Sequence, residues 1–117
     1  YIEDGITVTG DRTAIGQLVS ILLDNAVKYS AERGVIRLHV CRSGKRAEIE
    51  VYNTLSSDEK LDCKRLFERF YRPDVSRNAA TGGSGVGLSI AKATAEAHGG
   101  TIKARQNGRE ITFTVRL

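Results

Sequence analysis

A chain of 117 residues with 40% apolar content is enough for one compact domain with a real core. Its 18 basic and 14 acidic residues leave a formal charge of +4; the cations are scattered and aromatics make up only 6%, which argues against nucleic acid as a partner and suits an anionic ligand equally well. One proline rules out long polyproline linkers, and no apolar run approaches the roughly 18 residues of a membrane span.

The stretch "GITVTGD" reads as a short strand with Ile6 and Val8 on one face. Asp11 is placed to cap the helix that follows, where Ile15, Leu18, Val19, Leu22, Leu23 and Ala26 recur at helical spacing over residues 12–30. Gly34 ends that pattern. Residues 35–42 and 46–53 alternate with period two: Ile36, Leu38 and Val40 share one face, and Ala47, Ile49, Val51 and Asn53 the matching one. A two-residue turn at Ser43-Gly44 predicts Arg37 opposite Glu50 and His39 opposite Glu48.

A polar loop over 54–60 leads to a short helix with Cys63, Leu66, Phe67 and Phe70 on one face. Residues 72–84 are polar and glycine-rich, the composition of a mobile loop. A helix over 86–98 stops at Gly99-Gly100. The remainder is a hairpin turning at Asn107-Gly108, with Ile102 and Ala104 paired to Ile111 and Phe113. The sum is an α/β two-layer sandwich: a five-stranded mixed sheet with helices packed on one face. The start at Tyr1 without an initiator methionine suggests a fragment of a longer parent. Cys41 and Cys63 sit in unlike contexts with no zinc spacing, so reduced thiols are expected.

Four glycines fall within residues 82–87, directly before an apolar helical pattern. "GGSGVG" lacks the Gly-Lys-Ser/Thr close of a Walker loop and the leading strand of a dinucleotide fingerprint. A pliant loop ending at a helix N-terminus makes a phosphate site; the alternative is a surface loop that holds no ligand. On the first helix, Asn25, Lys28 and Tyr29 stand at i, i+3 and i+4 and share a face. Asparagine in mid-helix costs roughly 0.5–0.7 kcal/mol against alanine. Its amide oxygen suits a hard cation, the lysine suits phosphates and the tyrosine ring suits a base. A partly exposed polar stripe would look the same.

"LLDNAVKYS" resembles the N box of sensor histidine kinase ATP-binding domains of the GHKL superfamily, "LFERFYR" is similar to their F box, and "GGSGVGLSIAKATAEAHGG" resembles their G2 box. The three boxes occur in the family's order across almost the whole chain. The resemblance implies a Bergerat ATP-binding fold over residues 1–117, with ATP and Mg2+ as cofactors. By position, Asn25 would ligate Mg2+, Lys28 would approach the phosphates and Tyr29 would lie against the nucleotide. Gly83, Gly85, Val86 and Gly87 would wrap the triphosphate, and Leu88 would wall the pocket. Residues 72–84 would be the ATP lid, with Arg72 and Arg77 as cationic contacts and Phe67 and Phe70 at its base; ordinary core packing is the better account of Phe67, and Phe70 combines the two roles.

Two positions depart from the family. The G1 box normally supplies an aspartate, then glycines; here "VYNTLSSDEK" places Asn53 at the aspartate position with no glycine after it. An amide oxygen still accepts from the adenine amino group, but a neutral bond nets about 0.5–1.5 kcal/mol against 1.5–3 for a charged one, so nucleotide affinity is expected to be about tenfold weaker. Restoring aspartate is expected to tighten binding. Ile21 stands where ATPase branches place a glutamate base, which argues against efficient hydrolysis but not against a kinase.

Neither His39 nor His98 lies in a phosphoacceptor context, so the phosphoacceptor histidine is expected in a dimerisation domain N-terminal to this chain. The resemblance implies transfer of the ATP γ-phosphate to that histidine and relay to a response regulator. It further implies a homodimeric bacterial parent in the inner or plasma membrane, with this domain cytoplasmic and itself a soluble monomer. The alternatives are a degenerate module that docks partners with little nucleotide affinity, and a small anti-sigma-type serine kinase.

Overall fold

The structure, a computed structural model, describes residues 1–71 and 86–117. Helix α1 spans Arg12–Tyr29, and the Oδ1 of Asp11 accepts from the Ala14 N–H at 3.0 Å, capping it as the sequence predicts. Strands β1 (Ile36–Ser43) and β2 (Arg46–Thr54) form a hairpin. A single 3-10 turn, Arg65–Phe67, follows. Helix α2 (Gly87–Ala97) leads into a second hairpin, β3 (Thr101–Asn107) and β4 (Glu110–Arg116). The sheet order is β1-β2-β4-β3, antiparallel throughout.

The sheet has four strands rather than five among the described residues. The expected strand at Ile6 and Val8 does not form. Instead Ile2 makes one parallel bridge to Val40, with the Glu3 N–H donating to the Val40 carbonyl at 2.8 Å and the Val40 N–H to the Tyr1 carbonyl at 2.9 Å. Gly5, at φ 75°, falls in the left-handed region directly after this contact, where a strand cannot continue.

Both hairpins turn one residue later than expected. Ser43 pairs with Arg46 and Asn107 with Glu110, so the loop residues are Gly44-Lys45 and Gly108-Arg109. Each glycine takes the first central position with positive φ (62° and 60°), and neither following residue has positive φ. That is the pattern of a type II′ turn, which wants glycine first. His39 therefore faces Glu50 and Arg37 faces Tyr52, whose ring the Arg37 guanidinium covers at 4.9 Å. Ala104 likewise pairs with Phe113, and Ile102 with Val115. Each pairing moves by two residues, so every side chain keeps its face.

That inner face carries Ile49, Val51, Ile102, Ile111, Phe113 and Val115, all buried. Helix α1 meets it with Leu18, Leu22 and Ala26, at i, i+4 and i+8. Helix α2 contributes Ala91 and Ala95, whose small side chains let the two helices approach closely. Phe67 packs edge-on against Phe113, ring centroids 6.0 Å apart. Leu22 is fully buried; Leu22→Ala is expected to cost about 2–5 kcal/mol, read as an earlier urea midpoint at unchanged slope.

The helix ends are joined by a histidine. His98, the C-cap of α2, accepts the Asp11 N–H at Nε2 (3.0 Å) while Nδ1 lies 2.8 Å from the Thr94 carbonyl. A carbonyl only accepts, so Nδ1 carries the proton. His98 is thus structural, as expected, and Gly10 is required beside it because a Cβ there would overlap the ring.

Candidate functional site

The site is built where the C-terminal end of α1 meets the end of β2. The Ala31 N–H donates to the Thr54 carbonyl at 2.9 Å and the Thr54 N–H to the Val35 carbonyl at 3.1 Å. The Thr54 hydroxyl oxygen accepts from the Val35 N–H at 3.0 Å. Three bonds therefore clamp the 31–35 loop onto the residue that follows Asn53. The polar face of α1 is held by the same clamp: Asn25 and Tyr29 are half-buried and Lys28 is exposed in the last turn.

Asn53 lies on the inner face, between Ile36 of β1 and Ile111 of β4 in the register. It is 1% exposed and is the one buried polar residue among the described residues. Its Nδ2 donates to the Thr54 carbonyl at 2.9 Å, while Oδ1 has no hydrogen-bond partner. A buried acceptor left unpaired costs about 1–3 kcal/mol. In a native fold such an atom calls for an explanation, and a ligand N–H supplies one.

The opposite wall is the start of α2. Val86 is the N-cap, no side chain among the described residues caps the helix and no acid lies in its first turn. A helix start of this kind can receive an anion at its first-turn N–H groups. The Val86 carbonyl accepts from the Ser89 hydroxyl at 2.7 Å, stiffening the turn. Leu88 is half-buried against the core. Gly87 faces Ile21: a Cβ on Gly87 would stand 3.4 Å from the Ile21 Cγ2. Ile21 thus packs under the first turn of α2, and an isoleucine offers no base to water at that point.

Of the sequence-predicted site residues, Asn25, Lys28, Tyr29, Asn53, Val86, Gly87 and Leu88 lie on these three elements. Arg72, Gly83 and Gly85, with Arg77 and the lid over 72–84, lie outside the described residues. The predicted F-box helix is only the turn Arg65–Phe67. Phe67 is buried, whereas Phe70 is 63% exposed at φ 66°, with the Arg69 guanidinium 4.9 Å from its ring. The left-handed backbone at Phe70 swings it off the face it was expected to share. Tyr71 takes that place, packed on the core beneath the Arg65 guanidinium at 4.4 Å.

Two fastenings escaped the sequence reading. Gln106 accepts the Leu61 N–H at 2.7 Å and donates to the Glu59 carbonyl at 2.8 Å, tying the loop after β2 to β3. The inward alternation of β3, which puts a polar Gln106 after Ile102 and Ala104, was the available signal. Gly34 is the other. A Cβ there would overlap the Thr54 hydroxyl and come within 2.7 Å of the Ala31 carbonyl. Cys41 and Cys63 are free, and partial burial pushes both thiols up. Neither is activated as a nucleophile.

The donor set fits a nucleotide. Among the described residues no three His, Cys, Asp or Glu side chains gather into a metal site. A divalent cation here would take one protein oxygen, from Asn25, and complete its shell with phosphate and water, as Mg2+ prefers. Residues 10–117 match the family of histidine kinase-, DNA gyrase B- and HSP90-like ATPases.

The chain belongs to that family.

Histidine kinases are its close kin. It is 41% identical over 116 residues to the probable sensor protein PcoS of Escherichia coli, covering 99% of this chain and 25% of that protein. It is 40% identical over 119 residues to the signal transduction histidine-protein kinase BaeS of the same species, again covering 99% and 25%. Among solved structures, the mycobacterial sensor histidine kinase MprB superposes with a TM-score of 0.78 at 26% identity, over 94% of this chain and 73% of that one. The chain spans about a quarter of the length of the curated relatives named here. The α/β sandwich is therefore that of histidine kinase catalytic domains.

Proposed function

We propose that residues 1–117 form the catalytic and ATP-binding domain of a bacterial sensor histidine kinase. The domain binds Mg2+·ATP and delivers the γ-phosphate to a histidine on the parent's dimerisation domain, for relay to a response regulator. The observation that carries the nucleotide reading is the buried, unpartnered Oδ1 of Asn53. It lies on the inner sheet face at the β2 end, where the 31–35 clamp brings in the polar face of α1. In this reading Oδ1 accepts from the adenine amino group, and Tyr29 and Leu88 cover the base and sugar side. Asn25 holds the cation, and Lys28 neutralises phosphate charge. The α2 N-terminus, with Val86 and Gly87, receives phosphate oxygens, and Gly83, Gly85 and Arg72 would add phosphate contacts.

When bound, Mg2+·ATP supplies the transferable phosphoryl group. The chain's own part is positioning and charge neutralisation, which phosphoryl transfer chiefly needs. With isoleucine at position 21, water is not activated, so the γ-phosphate is kept for the histidine. The parent would be a homodimer anchored in the membrane, with this domain on the cytoplasmic side. No described helix is long and apolar enough to cross a membrane.

Calorimetry with Mg2+·ATP tests the reading: saturable heat that EDTA removes is the expected result. The neutral G1 position favours one rival, a partner-docking module with little nucleotide affinity. No heat at millimolar ligand would select that rival.

A further inference from the structure

The Asn53 amide does not have two equivalent orientations. The Thr54 carbonyl takes the Asn53 Nδ2–H at 2.9 Å and the Ala31 N–H at 2.9 Å, which uses both of its lone pairs. That carbonyl is kept from turning away by the Leu55 N–H of the same peptide, which donates to the Arg109 carbonyl at 2.6 Å, while the Thr54 N–H and hydroxyl bond Val35. Flipping the amide would set Oδ1 against the Thr54 oxygen, acceptor facing acceptor, in a site that is 1% exposed. The unpartnered atom turned to the ligand side is therefore always an acceptor.

We infer that Thr54 locks the Asn53 amide one way round, with Oδ1 toward the ligand, so that the adenine contact proposed above needs no aspartate and position 53 is served better by asparagine than by aspartate. The inference rests on the nucleotide reading above. A free asparagine could turn its NH2 toward a 6-oxo group and accept guanine; this one cannot. An aspartate would bring a second oxygen to the Thr54 carbonyl in place of the Nδ2–H donor, leaving two buried acceptors face to face. The expectation from sequence, that Asn53→Asp tightens nucleotide binding, is thereby reversed. Thr54 acts as a positioning residue through its backbone, and the 31–35 loop acts through Thr54.

The test measures dissociation constants of the 117-residue chain for the Mg2+ complexes of ATP, GTP and purine riboside triphosphate, which carries only hydrogen at C6. Thermal melting is followed alongside. Wild type is expected to bind ATP at least about tenfold tighter than the riboside, with GTP weakest, because a mismatched base leaves Oδ1 buried and unpaired. Asn53→Ala should bring the three ligands within about threefold of one another, since no acceptor remains to discriminate. Asn53→Asp should bind ATP more weakly than wild type and melt earlier.

Equal affinity of wild type for ATP and GTP would overturn the lock. So would an Asn53→Asp variant that binds ATP more tightly at an unchanged melting temperature. If that variant fails to fold, the wild-type ratios and Asn53→Ala decide. Binding of none of the three triphosphates is a different failure: it removes the nucleotide reading itself.

Discussion

Asn25→Ala is expected to abolish Mg2+-dependent nucleotide binding and leave the fold intact. Asn25 stands on the half-buried polar face of α1, one residue from the fully buried Ala26 and three from Leu22. Its side chain makes none of the described hydrogen bonds that hold α1 to the sheet, which run through Ala31, Thr54 and Val35. Alanine is the better helix former by roughly 0.5–0.7 kcal/mol, so the melting temperature should hold or rise slightly. Binding should fall much further than stability changes, because no acidic cluster among the described residues could take over the cation. Calorimetry with and without EDTA, paired with a thermal melt, separates the two effects. Unchanged Mg2+-dependent binding in the variant would remove Asn25 from the metal role.

Gly34→Ala is expected to damage fold and site together. Its backbone φ is not in the left-handed region, so conformational freedom is not the issue. The constraint is space: a Cβ would overlap the Thr54 hydroxyl and stand 2.7 Å from the Ala31 carbonyl and 2.9 Å from the Ser30 hydroxyl. The Thr54 hydroxyl belongs to the clamp joining the loop after α1 to the end of β2, which also fixes the Asn53 amide through the Thr54 carbonyl. Crowding a packed site in this way costs about 1–3 kcal/mol. A lower urea midpoint should therefore accompany a loss of ATP affinity larger than that of a control such as Leu22→Ala, in which the core is weakened but the clamp is untouched. If Gly34→Ala loses stability and keeps wild-type affinity, the clamp does not position the base pocket.

The two predictions divide the site by physical origin. Asn25, Lys28 and Tyr29 share a face because helical spacing puts i, i+3 and i+4 together. Nothing else in the fold is needed to bring them into one row. Asn53 stands on another element, β2, which is held to α1 by core packing and by the clamp, three backbone and hydroxyl bonds between residues up to 23 apart, as in the Ala31 N–H to Thr54 carbonyl pair. A disturbance on α1 should therefore act on the cation and phosphates, and one at Gly34 on the base.

Local chemistry was enough to read the elements themselves. Period-two alternation placed β1 and β2 and put Asn53 on the inner face. The 3.6-residue period placed α1 and α2, Asp11 announced the cap, and three motifs in order announced the histidine kinase family. These signals survive translation into structure because each is settled within about one turn or one pleat of chain. The Ser43-Gly44 and Asn107-Gly108 turns were legible as turns, but not their register. Whether glycine takes the first or the second central position depends on which backbone twist the paired strands accept.

Tertiary structure alone decided the rest. Gly5 turned the expected first strand into a single bridge at Ile2. The left-handed backbone at Phe70 exchanged it for Tyr71 against the core. Gly34, Gly10 and Gln106 acquired their roles only because distant atoms arrive beside them: Thr54, His98 and the loop after β2. The same holds for the Asn53 amide, whose chemical identity is written in the chain. Which of its two atoms is left unpaired is set by the Thr54 carbonyl, bonded to Ala31, more than 15 residues earlier. Periodicity reports which face a residue occupies; hydrogen-bond partners across the fold decide what that residue can still do there.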